Sequence, residues 1–253
     1  MTGLLDAFAW SSALVGCAAV ALAAAASRAL DAPIDPAVLG FAFCGTVVVY
    51  CFDRLQDVEH DRASSPLRSS FIDAHWRPVV SFAEFAVAAA FPTAFAAGPR
   101  VVAIAAAVAA FGLAHRQLKQ FAWAKPLYLT GSWTAVTVGM PAVAADGVDL
   151  PRVAWVAGVI ALAVQANVVL SNLRDGEGLA ARLPRRIALA SAGAFAILSI
   201  ALVRLGPREI RPLAAIPISM FLVAAAYQPG ERYGALVVDG ALIAGGLVAL
   251  AMP

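Results

Sequence analysis

The stretch that decides the fold is VVVYCFDRLQDVEHDRASSPLRSSF, residues 47–71, in which an apolar run gives way to closely spaced acids. Asp53, Asp57 and Asp61 follow one another at every fourth position. If the helix continues through residue 57, Asp53 and Asp57 lie on one face and project their carboxylates side by side. Two like charges so placed repel each other, and the cost rises near lipid. The pattern therefore predicts a compensating cation at the end of an apolar helix.

The rest of the chain is dominated by apolar residues. Of its 253 residues, 62% are hydrophobic and 13% are charged, whereas soluble domains carry about a quarter charged residues. A membrane-spanning helix needs roughly 20 mostly apolar residues. We predict an all-α integral membrane protein with nine transmembrane helices, because the apolar runs are too long for barrel strands and lack two-residue alternation. The nine segments are 8–30, 34–53, 77–97, 100–115, 126–145, 151–172, 184–204, 210–227 and 231–252.

The polar gaps between these segments are short, which predicts a single polytopic helical domain over residues 1–253. Nine spans divide the 18 lysines and arginines into twelve on one side and six on the other. By the positive-inside rule the richer side is cytoplasmic, so the N-terminus and both acidic loops are expected there. The net charge of +2 is too small to indicate a nucleic-acid partner.

A second polar group ends segment 6, in VVLSNLRDGEGLAARLPRR at residues 168–186. Asn172 and Asp175 are three residues apart, on one helical face, with Glu177 close by. Mg²⁺ typically binds through one or two carboxylates together with substrate phosphates. Two such helix ends on one side therefore favour a common mouth for metal and diphosphate. The expected catalytic and Mg²⁺ ligands are Asp53, Asp57, Asn172 and Asp175.

Basic residues near these motifs offer counter-charge to phosphate oxygens, lysine as a point charge and arginine as a bidentate donor. The expected diphosphate contacts are Arg54, Arg116, Lys119, Lys125 and Arg174. An alternative for the first motif requires no ligand: Arg54 and Arg62 neutralise an interfacial helix end, and no metal binds there.

The placement of these motifs resembles the UbiA superfamily of intramembrane prenyltransferases, which has acidic motifs after the second and sixth of nine helices. The family's first motif reads NDxxDxxxD, and DRLQD at residues 53–57 matches its last five positions. SNLRD at residues 171–175 is similar to the NNxRD form of the second motif. The basic loop that ends at Lys125 resembles the family's diphosphate-contacting loop after helix 4.

This resemblance implies a nine-helix bundle of the UbiA type and an activity for it. The implied reaction transfers an isoprenyl chain from its diphosphate to an aromatic or lipid-soluble acceptor, with Mg²⁺ bridging the motif acids and the diphosphate. The apolar chain of the donor would lie between helices that open toward membrane lipids. Protein partners are left open.

Three positions depart from the family's motifs. Val49 and Tyr50 stand where the first motif opens with Asn and Asp, and Leu179 stands where the second motif closes with an acid. Asp61 and Glu177 are the nearby candidates to replace the missing carboxylates. The departures favour an alternative function: a catalytically degenerate relative that binds an isoprenoid, quinone or pigment, or serves as a subunit of a membrane complex.

Three further polar residues have both a functional and a structural interpretation. Asp239 lies inside segment 9, where an acid marks function by default or bonds a neighbouring helix. Asn167 either lines the same cavity as Asn172 or links two helices. Tyr128, which follows the basic loop, is either an interfacial aromatic residue or a lining residue that stabilises a cation over its ring.

Overall fold

The chain is described by a computed structural model, which covers residues 2–118, 124–176 and 178–253; the side chains of residues 2, 60 and 113–118 are outside that description. The described residues are helical almost throughout and contain no β-strand. The α-helices are α1 (Thr2–Trp10), α2 (Ala13–Ala29), α3 (Pro36–Asp61), α4 (Pro66–Ala74), α5 (Trp76–Ala97), α6 (Pro99–Leu118), α7 (Ala124–Thr134), α8 (Met140–Ala144), α9 (Leu150–Asp175), α10 (Gly178–Arg182), α11 (Arg185–Leu205), α12 (Ala215–Ala225) and α13 (Asp239–Ala251). Two π-helices (Ala135–Gly139 and Tyr233–Val238) and one 3₁₀-helix (Arg208–Ala214) continue them.

Helical structure lies in all nine predicted apolar segments, but not every segment is one straight helix. Within the described ranges, five helices are long and apolar enough to cross a membrane, and α1 with α2 would make a sixth, bent by 64°. Segments 126–145 and 210–227 combine short helices with π or 3₁₀ turns near prolines, which interrupt regular helix bonding. The nine-span count stays a prediction.

The two helices that carry the acidic motifs begin in the same way. The Asp35 carboxylate accepts a hydrogen bond from the Ala37 amide at 2.8 Å ahead of α3, and Asp149 accepts one from Arg152 at 3.2 Å ahead of α9. Each cap is followed by a proline in the first turn, where its missing N–H costs nothing. Helix α9 ends at Gly176, whose φ of 68° is the left-handed conformation that favours glycine.

The main core lies around α9, which packs against α7, α11 and α12 and is the most buried of the candidate spans. Helix α3 packs against α2 and α5 and shares a smaller apolar cluster with α5. Phe85, Phe91 and Phe95 of α5 point outward and are 69%, 72% and 91% exposed, as expected for side chains that face lipid.

Two ion pairs show which segments of the chain lie at the same end of the bundle. Arg232, just before the last span, binds both carboxylate oxygens of Asp6 in α1, at 3.1 and 2.9 Å. Arg100, at the start of α6, pairs at 3.4 Å with Asp146, which follows α8. The N-terminal helix therefore lies at the same end as the turn before the last span.

Close packing of α12 and α13 depends on a glycine, and we predict that Gly245→Ala destabilises the protein. An added Cβ would lie 2.6 Å from the Ile216 Cα and 3.0 Å from the Ala215 carbonyl oxygen. These are backbone atoms, so the helices must separate, at a cost of about 1–3 kcal/mol of unfolding free energy. Thermal unfolding in detergent measures the loss. Gly240→Ala, in the same helix with no heavy atom within 4 Å, is the control; equal melting temperatures would contradict the prediction.

Candidate functional site

The first acidic motif is helical, because α3 continues through Asp61, beyond the end at residue 53 predicted for this segment. Asp53 is exposed and Asp57 is half-buried, one turn apart on this helix. Tyr50 lies one turn before Asp53, and the charges of Asp53 and Asp239 both act on it. The end of α3 therefore presents two carboxylates with a tyrosine directly beneath them.

The arginines next to this motif have other partners. The buried Arg54 guanidinium donates from Nη1 to the carbonyl oxygens of Ala9 and Trp10, at 3.1 and 2.8 Å. These carbonyls end α1, so Arg54 binds a helix C-terminus, where a cation is favoured. The exposed Arg62 pairs with Glu59 and Asp73, both at 3.1 Å. Arg54 therefore binds α1, whereas Arg62 pairs with one acid at the end of α3 and one on α4.

The second motif ends α9 in a bidentate ion pair. Arg174 donates from Nε to Asp175 Oδ1 and from Nη2 to Asp175 Oδ2, each at 2.7 Å. Both side chains are largely buried, with 11% and 17% exposed. Asn172 is also buried, one turn before Asp175. Planar pairing of this kind is the strong form of the arginine–carboxylate interaction, so it occupies both oxygens of the predicted metal ligand.

The ends of α3 and α9 meet at one end of the bundle. Ser65, four residues after α3, donates from its hydroxyl to Asp175 Oδ1 at 3.4 Å. The charges of Arg68 and of Lys125, from the basic loop, also act on the Asp175 carboxylate. The Ser65–Asp175 contact therefore joins two loops that the sequence assigned to one side, and a charge from the third loop acts on it.

The contacts of Asp61 are with α4. Asp61 accepts a hydrogen bond from Arg68 Nη2 at 2.6 Å, and both side chains are nearly buried. Glu231 accepts from the amides of Leu67 and Arg68, both at 2.9 Å, at the start of α4. A carboxylate is favoured there because the first amides of a helix lack partners. Within the described part of the chain, Arg68 Nε is buried with no acceptor.

Sequence reasoning did not select Ser65, Arg68 or Glu231 as part of this end of the bundle. Ser65 followed by proline is a signal for a helix start, and it could have located α4 between the first motif and segment 3. Nothing local indicates that Glu231 supplies the cap for α4, because 163 and 164 residues separate the partners.

Asp239 bonds a neighbouring helix, which is the structural interpretation given for it above. Its partner is Asn167 of α9, the helix that carries the second motif. Asn167 Nδ2 donates to Asp239 Oδ1 and to the Val238 carbonyl oxygen, each at 3.2 Å. The charges of Arg174, Arg54 and Asp175 act on the Asp239 carboxylate. Asp239 therefore belongs to the same polar group as the second motif.

Aromatic side chains cross the bundle beneath these charges. Trp133 donates from Nε1 to the Tyr50 hydroxyl oxygen at 3.0 Å, with the two rings edge to face at 6.4 Å between centroids. This bond joins α7 to α3 below the first motif. Tyr128 is half-buried on α7, one turn after Lys125, which places it on the side of the basic residue.

Three predicted residues cannot be placed in the site. Lys119 and Glu177 lie outside the described residues, and the side chain of Arg116 is likewise not described. Their roles stay predictions.

The carboxylates at this end of the bundle are candidate ligands for Mg²⁺. Residues 2–118, 124–176 and 178–253 contain no cluster of three or more His, Cys, Asp and Glu side chains suited to a metal. Mg²⁺ does not require such a cluster, because it usually takes one or two carboxylates and completes its shell with water and substrate phosphates. The carboxylates of Asp53 and Asp57 fit this requirement, whereas both oxygens of Asp175 are bonded to Arg174.

No protein-family model matches the sequence, and no curated protein matches it. Solved structures do resemble it. A UbiA homologue from Aeropyrum pernix K1 superposes with a TM-score of 0.67 at 17% identity, over 94% of this chain and 96% of that one. A digeranylgeranylglyceryl phosphate synthase superposes with a TM-score of 0.56 at 15% identity, over the full length of both chains. With its apolar spans, the chain is a multi-pass integral membrane protein, and it has the all-helical fold of the UbiA superfamily.

Proposed function

We propose that this protein transfers an isoprenyl group from its diphosphate to an aromatic or lipid-soluble acceptor in the membrane, with the help of Mg²⁺. The contact between Ser65 and Asp175, which joins the loops after α3 and α9 at one end of an apolar bundle, is the observation that supports it. The bundle has a charged end and an apolar interior, and an isoprenyl diphosphate correspondingly has an anionic head and a long apolar tail. The site and the proposed donor are therefore complementary in charge and polarity.

The residues of the two motifs take the metal and the leaving group. Asp53, Asp57, Asn172 and Asp175 would hold Mg²⁺, whose charge neutralises the diphosphate as it departs. The cationic side chains bind the diphosphate oxygens and keep the head group at the end of the bundle. These contacts are assigned to Arg54, Arg116, Lys119, Lys125 and Arg174.

The interior of the bundle would hold the apolar tail and exclude water. Loss of diphosphate from an allylic donor leaves a carbocation, which water would consume. The rings of Tyr50, Tyr128 and Trp133 lie below the charged end and can stabilise a cation over their faces. By the positive-inside rule the charged end faces the cytoplasm, and the tail side opens toward membrane lipids.

The pairing of two acids with arginines favours a second function, binding without chemistry. Both oxygens of Asp175 are held by Arg174 at 2.7 Å, and Asp61 is paired with Arg68 at 2.6 Å. A site whose acids are neutralised by arginines suits a protein that binds an isoprenoid, quinone or pigment without chemistry, alone or within a membrane complex.

The decisive experiment measures diphosphate release by the purified protein from allylic isoprenyl diphosphates of several lengths, with an aromatic acceptor and Mg²⁺. We expect release that requires Mg²⁺, together with a prenylated product. Saturated analogues of equal length are the matched control, because they bind similarly but do not ionise readily. Donor binding without release at any length would overturn the transferase and favour the binding protein.

A further inference from the structure

Asp239 is held at one end of an unusual helical turn. The π-helix Tyr233–Val238 ends directly before it, and Asn167 of α9 donates to both Val238 O and Asp239 Oδ1 at 3.2 Å. Turns of this kind are rare within α-helices and are frequent at functional sites. The hydrogen bonds fix the Asp239 carboxylate against α9, at a depth where an acid needs a reason to be present.

Arg174 lies against the other end of the same π-helix. A Cβ on Gly234 would lie 2.6 Å from Arg174 Nη1 and 3.0 Å from Nε, so the guanidinium rests on the glycine backbone. Asn167 and Arg174 are seven residues apart, which places them on one face of α9 two turns apart. One face of α9 therefore touches both ends of the π-helix, and the charge of Asp239 acts on Arg174 in addition to that of Asp175.

The charges in this region compensate one another. Arg174, Arg54 and Asp175 all act on Asp239, and Asp239 and Arg174 in turn act on Arg54. Arg68, which pairs with Asp61 at 2.6 Å, also acts on Arg54 and on Asp175, and the charge of Lys125 acts on Asp175. Removal of one partner from such a buried group is costly, because the remaining charge is left uncompensated.

This balance bears on the proposed function. Asp175 serves as a metal ligand only if its oxygens leave Arg174, to which both are bonded at 2.7 Å. Arg174 then needs another counter-charge that does not leave the site. Asp239 is the other carboxylate whose charge acts on Arg174, and it is held in place by Asn167.

We propose that Asp239 is a positioning residue that neutralises Arg174 when the Arg174–Asp175 pair opens, so that Asp175 turns to the metal while Arg174 stays beside the diphosphate. The inference rests on the proposed function and assigns Asp239 a role in it without contact to the substrate.

Metal binding in the absence of turnover tests this role. Mn²⁺ is titrated alone into the purified protein, and the free ion is followed by its electron paramagnetic resonance signal. Asp239→Asn keeps an acceptor for Asn167 but removes the charge, and we expect it to weaken Mn²⁺ binding about 10-fold or more. Asp146→Asn is the control, because that side chain is 99% exposed and pairs with Arg100 elsewhere; it should leave binding unchanged.

The same substitution in an Arg174→Gln background separates positioning from ligation. With no displaced cation to neutralise, Asp239→Asn should change Mn²⁺ binding by less than about twofold. Equal losses in both backgrounds would make Asp239 a direct ligand and overturn the proposal. Unchanged binding in Asp239→Asn alone would also overturn it but leave the transferase intact. A wild-type protein that binds no Mn²⁺ would overturn both.

Discussion

Asp53→Asn is expected to reduce Mg²⁺-dependent release of diphosphate about 100- to 1000-fold, because it removes one of the negative charges proposed to hold the metal against the leaving group. The substitution preserves shape and leaves a neutral oxygen in place of a charged one. Asp53 is exposed at the end of α3, so the melting temperature of the variant should stay close to that of the wild type. Steady-state rates over a range of Mg²⁺ concentrations provide the measurement.

The control for this prediction is another exposed acid at the end of α3. Glu59 is 80% exposed and pairs with Arg62, so Glu59→Gln changes the net charge by the same amount and should keep normal activity. If Glu59→Gln lowers the rate as much as Asp53→Asn does, the effect comes from the general field at the membrane surface. Retention of full activity in Asp53→Asn would remove Asp53 from the site.

Asp175→Asn should differ from Asp53→Asn in a way that the structure explains. Activity should fall to a similar extent, but stability should fall as well, by about 3–5 kcal/mol, since Arg174 loses a buried bidentate partner. The two variants are therefore expected to differ in stability more than in activity. Thermal unfolding alongside the rates shows the difference.

The fold could be predicted from the sequence because the membrane imposes a strong constraint on composition. Apolar segments of helical length have few alternatives in lipid, and the aspartates before α3 and α9 mark where those helices start. The break between α1 and α2 at Ser12, whose φ is 69°, has no comparable signal. The π-helix before Asp239 has none either, since such turns arise from contacts between helices.

The site could be predicted only in part, because spacing reports which residues share a face but not which neighbours they meet. Four predicted spans separate the two acidic loops, and an even number of spans returns the chain to the same side. The ends of α3 and α9 could therefore be placed together, and the Ser65–Asp175 contact agrees with this. The Arg174–Asp175 pair could not be predicted. Adjacent residues do not face each other on a regular helix, and the pair forms where α9 ends at a left-handed Gly176.

Gly234→Ala is expected to lower activity about 100-fold, since small displacements of a positioning group have costs of this size. The added methyl group would lie 2.6 Å from Arg174 Nη1 and 3.0 Å from Nε, so the guanidinium must leave the π-helix. That movement disturbs both the pair with Asp175 and the charge balance with Asp239. Turnover rates and the melting temperature are measured together, and stability should fall by about 1–3 kcal/mol.

The effect of Gly234→Ala should act through Arg174. Gly240→Ala, in the same span with no heavy atom within 4 Å, should keep full activity. In an Arg174→Ala background the methyl group meets no guanidinium, so Gly234→Ala should have no additional effect on rate or stability. An additive loss there would mean that the glycine is required by the backbone of the π-helix itself. A non-additive result would make the contact between Arg174 and the last span the element that sets the geometry of the second motif.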